Sequence, residues 1–192
     1  MTAAELTRPK IKARRVWTYD EMVAELPETN QPVELWNGEI ITSPAPHPNH
    51  QRIVRGFNRR LDRFVEENEL GEVLFSPVDV VLTQRRVVQP DVLFISKARL
   101  DIIKNYIDGV PDLAMEVISE GSWQRDRIEK KALYEQSGLP EYWIVDPDSE
   151  TIEVFALIKG VYQLHRRAVG AQTAKSKLLP GFGLSFKDLL SK

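Results

Sequence analysis

The sequence predicts an α/β fold, a central mixed β-sheet flanked by α-helices with β-hairpins at both ends. Three observations carry this. Short runs rich in Val, Ile, Leu and Phe alternate with stretches of helical period, the pattern of a sheet layered with helices. Two of those runs, "DLAMEVIS" (112–119) and "PEYWIVDP" (140–147), are too apolar for a strand with one wet face and so belong at the centre. Paired strand-like runs close to each end, "PVELWNGEIIT" and "TIEVFALIKGVYQLHRRAV", make the sheet mixed rather than all parallel.

The elements follow in order. "TYDEMVAELPE" reads as a short helix, with Thr18 as N-cap and Glu21 completing a capping box. In "PVELWNGEIIT" the Asn37-Gly38 pair is a strong turn signal between two strands. "SPAPHPNH" is a proline-rich loop, after which Asn49 is expected to cap a helix running to about Asn68. "EVLFSPVDVVLT" and "RVVQPDVLFIS" read as two strands around the polar turn "QRR". A helix is expected over 97–107, then the strand "DLAMEVIS", then a helix from Ser122 to Ser137 stopped by Gly138. "PEYWIVDP", the C-terminal hairpin and a short closing helix in "LSFKDLL" complete the chain.

Length and composition bound the function. A chain of 192 residues suffices for one domain with a proper core, and 42% hydrophobic with 28% charged residues is ordinary for a globular protein. Residues 1–15 are expected to form a flexible basic arm and 16–192 a single domain. A net charge of -2 gives no global pull toward nucleic acid, so any such binding needs a local patch. Without cysteine there are no disulfides and no thiolate metal sites. "MTAAELTRPKIKARR" lacks the apolar centre of a secretory signal, and no apolar run approaches a membrane span; a cytoplasmic protein is expected.

Glu116 stands in the middle of an apolar strand, where strand alternation puts it on one face with Ala114 and Ile118. A carboxylate there is costly unless something neutralises or coordinates it. Asp91 follows Pro90 at the head of another apolar strand. Two carboxylates on neighbouring core strands suit a hard divalent cation such as Mg²⁺, which takes oxygen ligands and keeps several waters. The plainer alternatives are turn chemistry for Asp91 and a buried ion pair for Glu116. On a wheel of about 100° per residue, Asp126, Lys130 and Tyr134 share one arc of the following helix, beside Trp123 and Leu133. That arc either carries an exposed Asp–Lys pair or delivers Lys130 toward Glu116 and Asp91; Lys131 lies about 100° further round.

These residues resemble the PD-(D/E)xK nuclease pattern in "QPD" and "MEVIS", and more closely the Uma-type restriction-endonuclease family, widespread in bacteria and largely uncharacterised. The resemblance runs in order through "VELWNGEI", "SPAPHPNHQRIVRGFNRRL", "PDVLFIS", "MEVIS", "DRIEKKALYEQSGLPEYWIVDP" and "LPGFGLSFKDLL". It implies a restriction-endonuclease-like fold and Mg²⁺- or Mn²⁺-dependent hydrolysis of DNA phosphodiesters. Asp91 and Glu116 would be metal ligands and Lys130 the catalytic lysine. Ile118 stands where the superfamily motif has its lysine, and in the Uma-type family that role moves to the next helix, at Lys130. Glu34 matches the family's early glutamate, as a further metal ligand or else a solvent-facing strand residue, and His50 matches a histidine common at this place, touching substrate or else anchoring the loop. Asp126 would hold Lys130. A homodimer is expected from the class. The competing class is a non-catalytic module that binds nucleic acid or protein and retains the nuclease fold.

Arg52, Arg55, Arg59 and Arg63 fall opposite the apolar face of their helix, either as a solvated charged face or as a stripe tracking phosphates. His47 and His50 are too few for zinc without cysteine. Neither a P-loop nor a GxGxxG motif is present.

Overall fold

The computed structural model describes residues 15–27, 32–118 and 125–191, with only the backbone of Arg125 and Asp126. The basic arm thus lies almost wholly outside the described residues, as do Ser122 and Trp123. Thr18 caps α1 (Tyr19–Glu25) through the expected reciprocal box with Glu21. The hairpin of β1 (Val33–Trp36) and β2 (Glu39–Thr42) turns at Asn37 and Gly38, whose φ of +50° and +85° require the residues found there. Helix α2 (Pro48–Glu67) begins two residues earlier than expected. His47 holds the N-cap position, and Pro48, whose fixed φ suits a first helical residue, starts the helix.

The two long apolar runs that follow form four strands, not two. Their proline breaks are the reason, because proline has no N–H with which to continue a ladder. "EVLFSPVDVVLT" divides at Pro77 into β3 (Gly71–Phe75) and β4 (Val80–Thr83). "RVVQPDVLFIS" divides at Pro90 into β5 (Arg86–Val88) and β6 (Val92–Ser96). At each break the chain changes sheet. The helix expected over 97–107 is a 3₁₀ segment, Lys97–Ile102, with non-helical dihedrals at Arg99. The Arg99 guanidinium bonds Asp112 and the Val110 carbonyl instead.

Next come β7 (Ile107–Asp108) and β8 (Leu113–Val117), then a π-helical turn over Arg125–Lys130 that runs into α3 (Lys131–Ser137), ended by Gly138. Strands β9 (Glu141–Asp146), β10 (Thr151–Ile158) and β11 (Val161–Val169), the small pair β12 (Thr173–Lys175) and β13 (Gly183–Ser185), and α4 (Phe186–Leu190) complete the fold.

The main sheet has six strands in the order β11-β10-β9-β8-β6-β3, antiparallel except for the parallel β8–β9 pair. Strand β8 is central, as its composition predicts. One face buries α2 through Ile53, Phe57 and Leu61 against Met115, Val117 and Trp143. The other packs α3, through Leu133 and Tyr134, against Ala114, Ile144 and Phe155. A five-stranded sheet, β2-β1-β5-β4-β7, joins that second face through Val80 and Val88 and buries α1 behind Leu35 and Val87. Helix α4 lies so close on α2 that a Cβ at Gly56 would stand 1.9 Å from the Leu189 carbonyl oxygen.

Candidate active site

Strand β6 runs antiparallel to β8 with Val92 opposite Met115 and Leu93 opposite Ala114. Continuing that register by one residue sets Asp91 across from Glu116. Oδ2 of Asp91 accepts the Val117 N–H at 2.8 Å, so the Asp91 carboxylate sits against the backbone just beyond Glu116. His50 Nε2, from the first turn of α2, lies 3.2 Å from the same oxygen.

Glu116 faces the α3 side of the sheet and meets two donors there. Lys130 Nζ donates to its Oε1 at 2.8 Å, and the Tyr134 hydroxyl donates to the same oxygen at 2.9 Å. Burial, with the charge of Glu116 next to it, pushes the Tyr134 phenol well above its ordinary range, which keeps it a proton donor. Lys130 reaches a second carboxylate as well, Glu34 Oε1 at 3.1 Å. Glu34 is held in turn by the Gln89 N–H on Oε1 at 3.0 Å and the Trp36 indole N–H on Oε2 at 3.1 Å. Glu34, Glu116 and Lys130 are 4%, 3% and 5% exposed. One buried ammonium therefore stands between two buried carboxylates, and the three sum to one negative charge.

The π-helical turn is fastened where it leads into Lys130. Arg127 bonds Glu153 of β10 at 2.6 Å and Asp146 of β9 at 3.1 Å. Lys131 points elsewhere, its ammonium 3.9 Å from the centre of the Phe155 ring.

These groups floor a cleft of about 690 Å³. Its walls are the proline-rich loop Ser43–His47, the first turn of α2, Ser76, Gln89 and the Pro147–Asp148 corner. Asp91, Glu116, Lys130, Glu34 and His50 all line it. The side chain of Asp126 lies outside the described residues. Arg52, Arg55, Arg59 and Arg63 are exposed on the outer face of α2, and Arg59 also donates to the Ser191 carbonyl at 3.0 Å. His47 joins the cleft wall. Asp79 braces the floor from behind, accepting from the Gln89 amide at 2.8 Å and the Tyr19 hydroxyl at 3.2 Å.

Three partners are not evident from the sequence: the Tyr134 hydroxyl, the Gln89 N–H and the Trp36 indole. For Tyr134 a signal exists, since it follows Lys130 by four residues on the arc that carries the lysine.

Among the described residues no group of three or more His, Cys, Asp or Glu side chains is arranged to hold a metal ion. Asp91, at the head of β6, and Glu116, in β8, nevertheless both line one open cleft and fit Mg²⁺, which binds through one or two carboxylates and fills its shell with water and phosphate oxygens. They do not form a closed cage of the kind calcium or structural zinc uses.

A mixed sheet flanked by helices in this arrangement is the architecture of a restriction-endonuclease-like protein. The chain belongs to the Uma2 family, described as "Putative restriction endonuclease", whose profile matches residues 19–187. A solved structure from Anabaena variabilis, described as a putative nuclease belonging to DUF820, is similar over 90% of this chain and 97% of its own, with a TM-score of 0.73. At 21% identity that likeness shows a shared fold. No curated protein matches the chain.

Proposed function

We propose that this protein is a divalent-metal-dependent endonuclease hydrolysing DNA phosphodiester bonds, with Asp91, Glu116 and Lys130 as its catalytic residues. The observation that carries the reading is their convergence: two carboxylates and an ammonium, from the residue before β6, from β8 and from the helix that follows, line one cleft floor. Asp91 and Glu116 would hold Mg²⁺ or Mn²⁺, which when bound polarises the scissile phosphate and lowers the pKa of a bound water. The chain's own groups supply the rest. His50 and the Val117 N–H fix the Asp91 carboxylate, and Tyr134 fixes that of Glu116. Lys130, held between the Glu34 and Glu116 carboxylates, would serve as a point charge for the phosphate oxygens.

Glu34 serves here as the second anchor of Lys130 rather than as a metal ligand, since both its oxygens already accept hydrogen bonds. Asp126 would restrain Lys130 from its own helix. Arg52, Arg55, Arg59 and Arg63 would track the backbone of DNA entering past the start of α2. Cleavage of both strands of a duplex would take two copies, hence a homodimer. A cytoplasmic location suits such an enzyme; no helix among the described residues is long and apolar enough to cross a membrane.

A second reading has its own support. Ile118 occupies the usual lysine position, and in the Glu34–Lys130–Glu116 cluster the ammonium already offsets one of the two carboxylates without a metal. On that reading the chain is a nucleic-acid- or protein-binding module on a nuclease scaffold. The experiment that separates them incubates supercoiled plasmid and circular single-stranded DNA with the protein in Mg²⁺, in Mn²⁺ and in EDTA, beside Glu116→Gln. Metal-dependent cutting that disappears in the variant supports the enzyme. Cutting by neither protein in any condition supports the module.

A further inference from the structure

Phe75 is 58% exposed, and it is the one aromatic residue among the large, exposed hydrophobic side chains of the described residues. A lone exposed aliphatic residue needs no explanation. An exposed phenyl ring one residue from the lining of a cleft is a different matter, because aromatic rings carry much apolar area and usually bury it. Phe75 is the last residue of β3, an edge strand of the main sheet. Its neighbour Ser76 lines the cleft, and the Ser76 N–H donates at 3.1 Å to the carbonyl of Asp91 itself. Strand alternation puts Phe75 on the face of Val73, the one that packs toward α2. The first turn of α2 is also a wall of the cleft, and exposed Arg52 and Arg55 follow in the next turn. A planar apolar ring thus stands one residue from the proposed ligand's backbone contact, at an open sheet edge, beside the basic helix.

We propose that Phe75 is a stacking platform for an unpaired nucleobase next to the scissile phosphate, so that the DNA engaged in this cleft is single-stranded or locally opened. The inference rests on the nuclease reading and adds to it the form of the substrate. Carboxylates and a lysine grip only phosphate and read no base. A phenyl face accepts any base, at about 1–3 kcal/mol per stacked base, and gives a phosphate-bound strand a fixed register. Inside an intact duplex both faces of a base are already stacked, so the platform serves an unpaired one.

The test is fluorescence anisotropy of a labelled single-stranded oligonucleotide with Ca²⁺ in place of Mg²⁺, using the full chain, Phe75→Ala and Phe75→Trp. Phe75→Ala should weaken binding about tenfold, the lower part of the stacking range, and Phe75→Trp should keep it. A series of oligonucleotides with one abasic site moved along the strand should show one sensitive position for the unaltered chain and none for Phe75→Ala. Duplex of the same sequence should bind both proteins alike. Equal binding of the single strand by all three proteins, or a Phe75→Trp loss as large as that of Phe75→Ala, overturns the stacking role and leaves the nuclease reading standing. If the unaltered chain binds no DNA at all, both fall together.

Discussion

The Lys130 ammonium lies 2.8 Å from Oε1 of Glu116, joining a core strand to the helix that follows it. This contact accounts for a carboxylate in a strand whose every residue is buried. Glu116 is tolerated among Ala114, Met115 and Val117 because a buried cation and a phenol meet it there.

Lys130→Met leaves Glu34 and Glu116 facing each other without a counter-charge. Removing one partner of a buried pair costs about 3–5 kcal/mol, and urea unfolding should show a loss of that size. A loss under about 1 kcal/mol, the scale of a surface pair, would mean that the ammonium does not neutralise the site.

Tyr134→Phe removes one hydrogen bond to a charged acceptor without changing the ring. The expected cost is about 1.5–3 kcal/mol in the same assay. Because Tyr134 only positions Glu116, cleavage should persist at a reduced rate and require more Mg²⁺ for half-maximal activity. A rate and metal requirement equal to those of the unaltered protein would remove Tyr134 from the site's support.

Arg52 and Arg55 lie near the end of α2 that opens onto the cleft, whereas Arg59 is partly engaged with Ser191. Every phosphate that a basic side chain ceases to neutralise lowers the slope of log affinity against log salt by about 0.7–0.9. The Arg52→Ala, Arg55→Ala double variant should therefore reduce that slope by about 1.5, measured by anisotropy across a salt series. An unchanged slope would make the arginine stripe a solvated face.

Asp146 anchors Arg127, and through it the π-helical turn leading to Lys130. Burial works against its charged form, but hydrogen bonds from Ser149, Arg127 and Asp148 prevail and hold the carboxyl below its usual 3.8. A folded-state value below the unfolded one favours the ionised form in the fold. The resulting stability is complete above about pH 5 and is lost as pH falls through the folded value. The melting-temperature gap between the unaltered protein and Asp146→Asn should therefore be full at neutral pH and close below pH 3.8. A gap that stayed constant through that range would show that the charge of Asp146 is not what fastens the turn.

What is legible in the sequence is local. The central strands, the Asn37-Gly38 hairpin and the Thr18 capping box follow from nearest-neighbour patterns, and the structure contains them. Lys130 is legible because four-residue spacing on a helix survives even where the first turn is π-helical rather than α-helical. The breaks at Pro77 and Pro90 are written in the sequence but outweighed by the apolar runs around them, so the pattern suggests one sheet where the chain builds two. Glu141 shows what a single sequence conceals. It is fully buried yet satisfied by Trp143, Ser176 and the Lys177 and Leu178 N–H groups, nearly all of them distant in the chain. The bonds of Glu34 to Gln89 and Lys130 are non-local in the same way.

The proposed enzyme would hold one divalent cation through Asp91 and Glu116 on the cleft floor. Crystals grown with Mn²⁺ and measured at its absorption edge test this directly through the anomalous difference map. A single strong peak within about 2.0–2.3 Å of an oxygen of each carboxylate, absent in crystals of Glu116→Gln, is the predicted result. A floor without a peak at saturating Mn²⁺, with Lys130 still bridging Glu116 and Glu34, would contradict it.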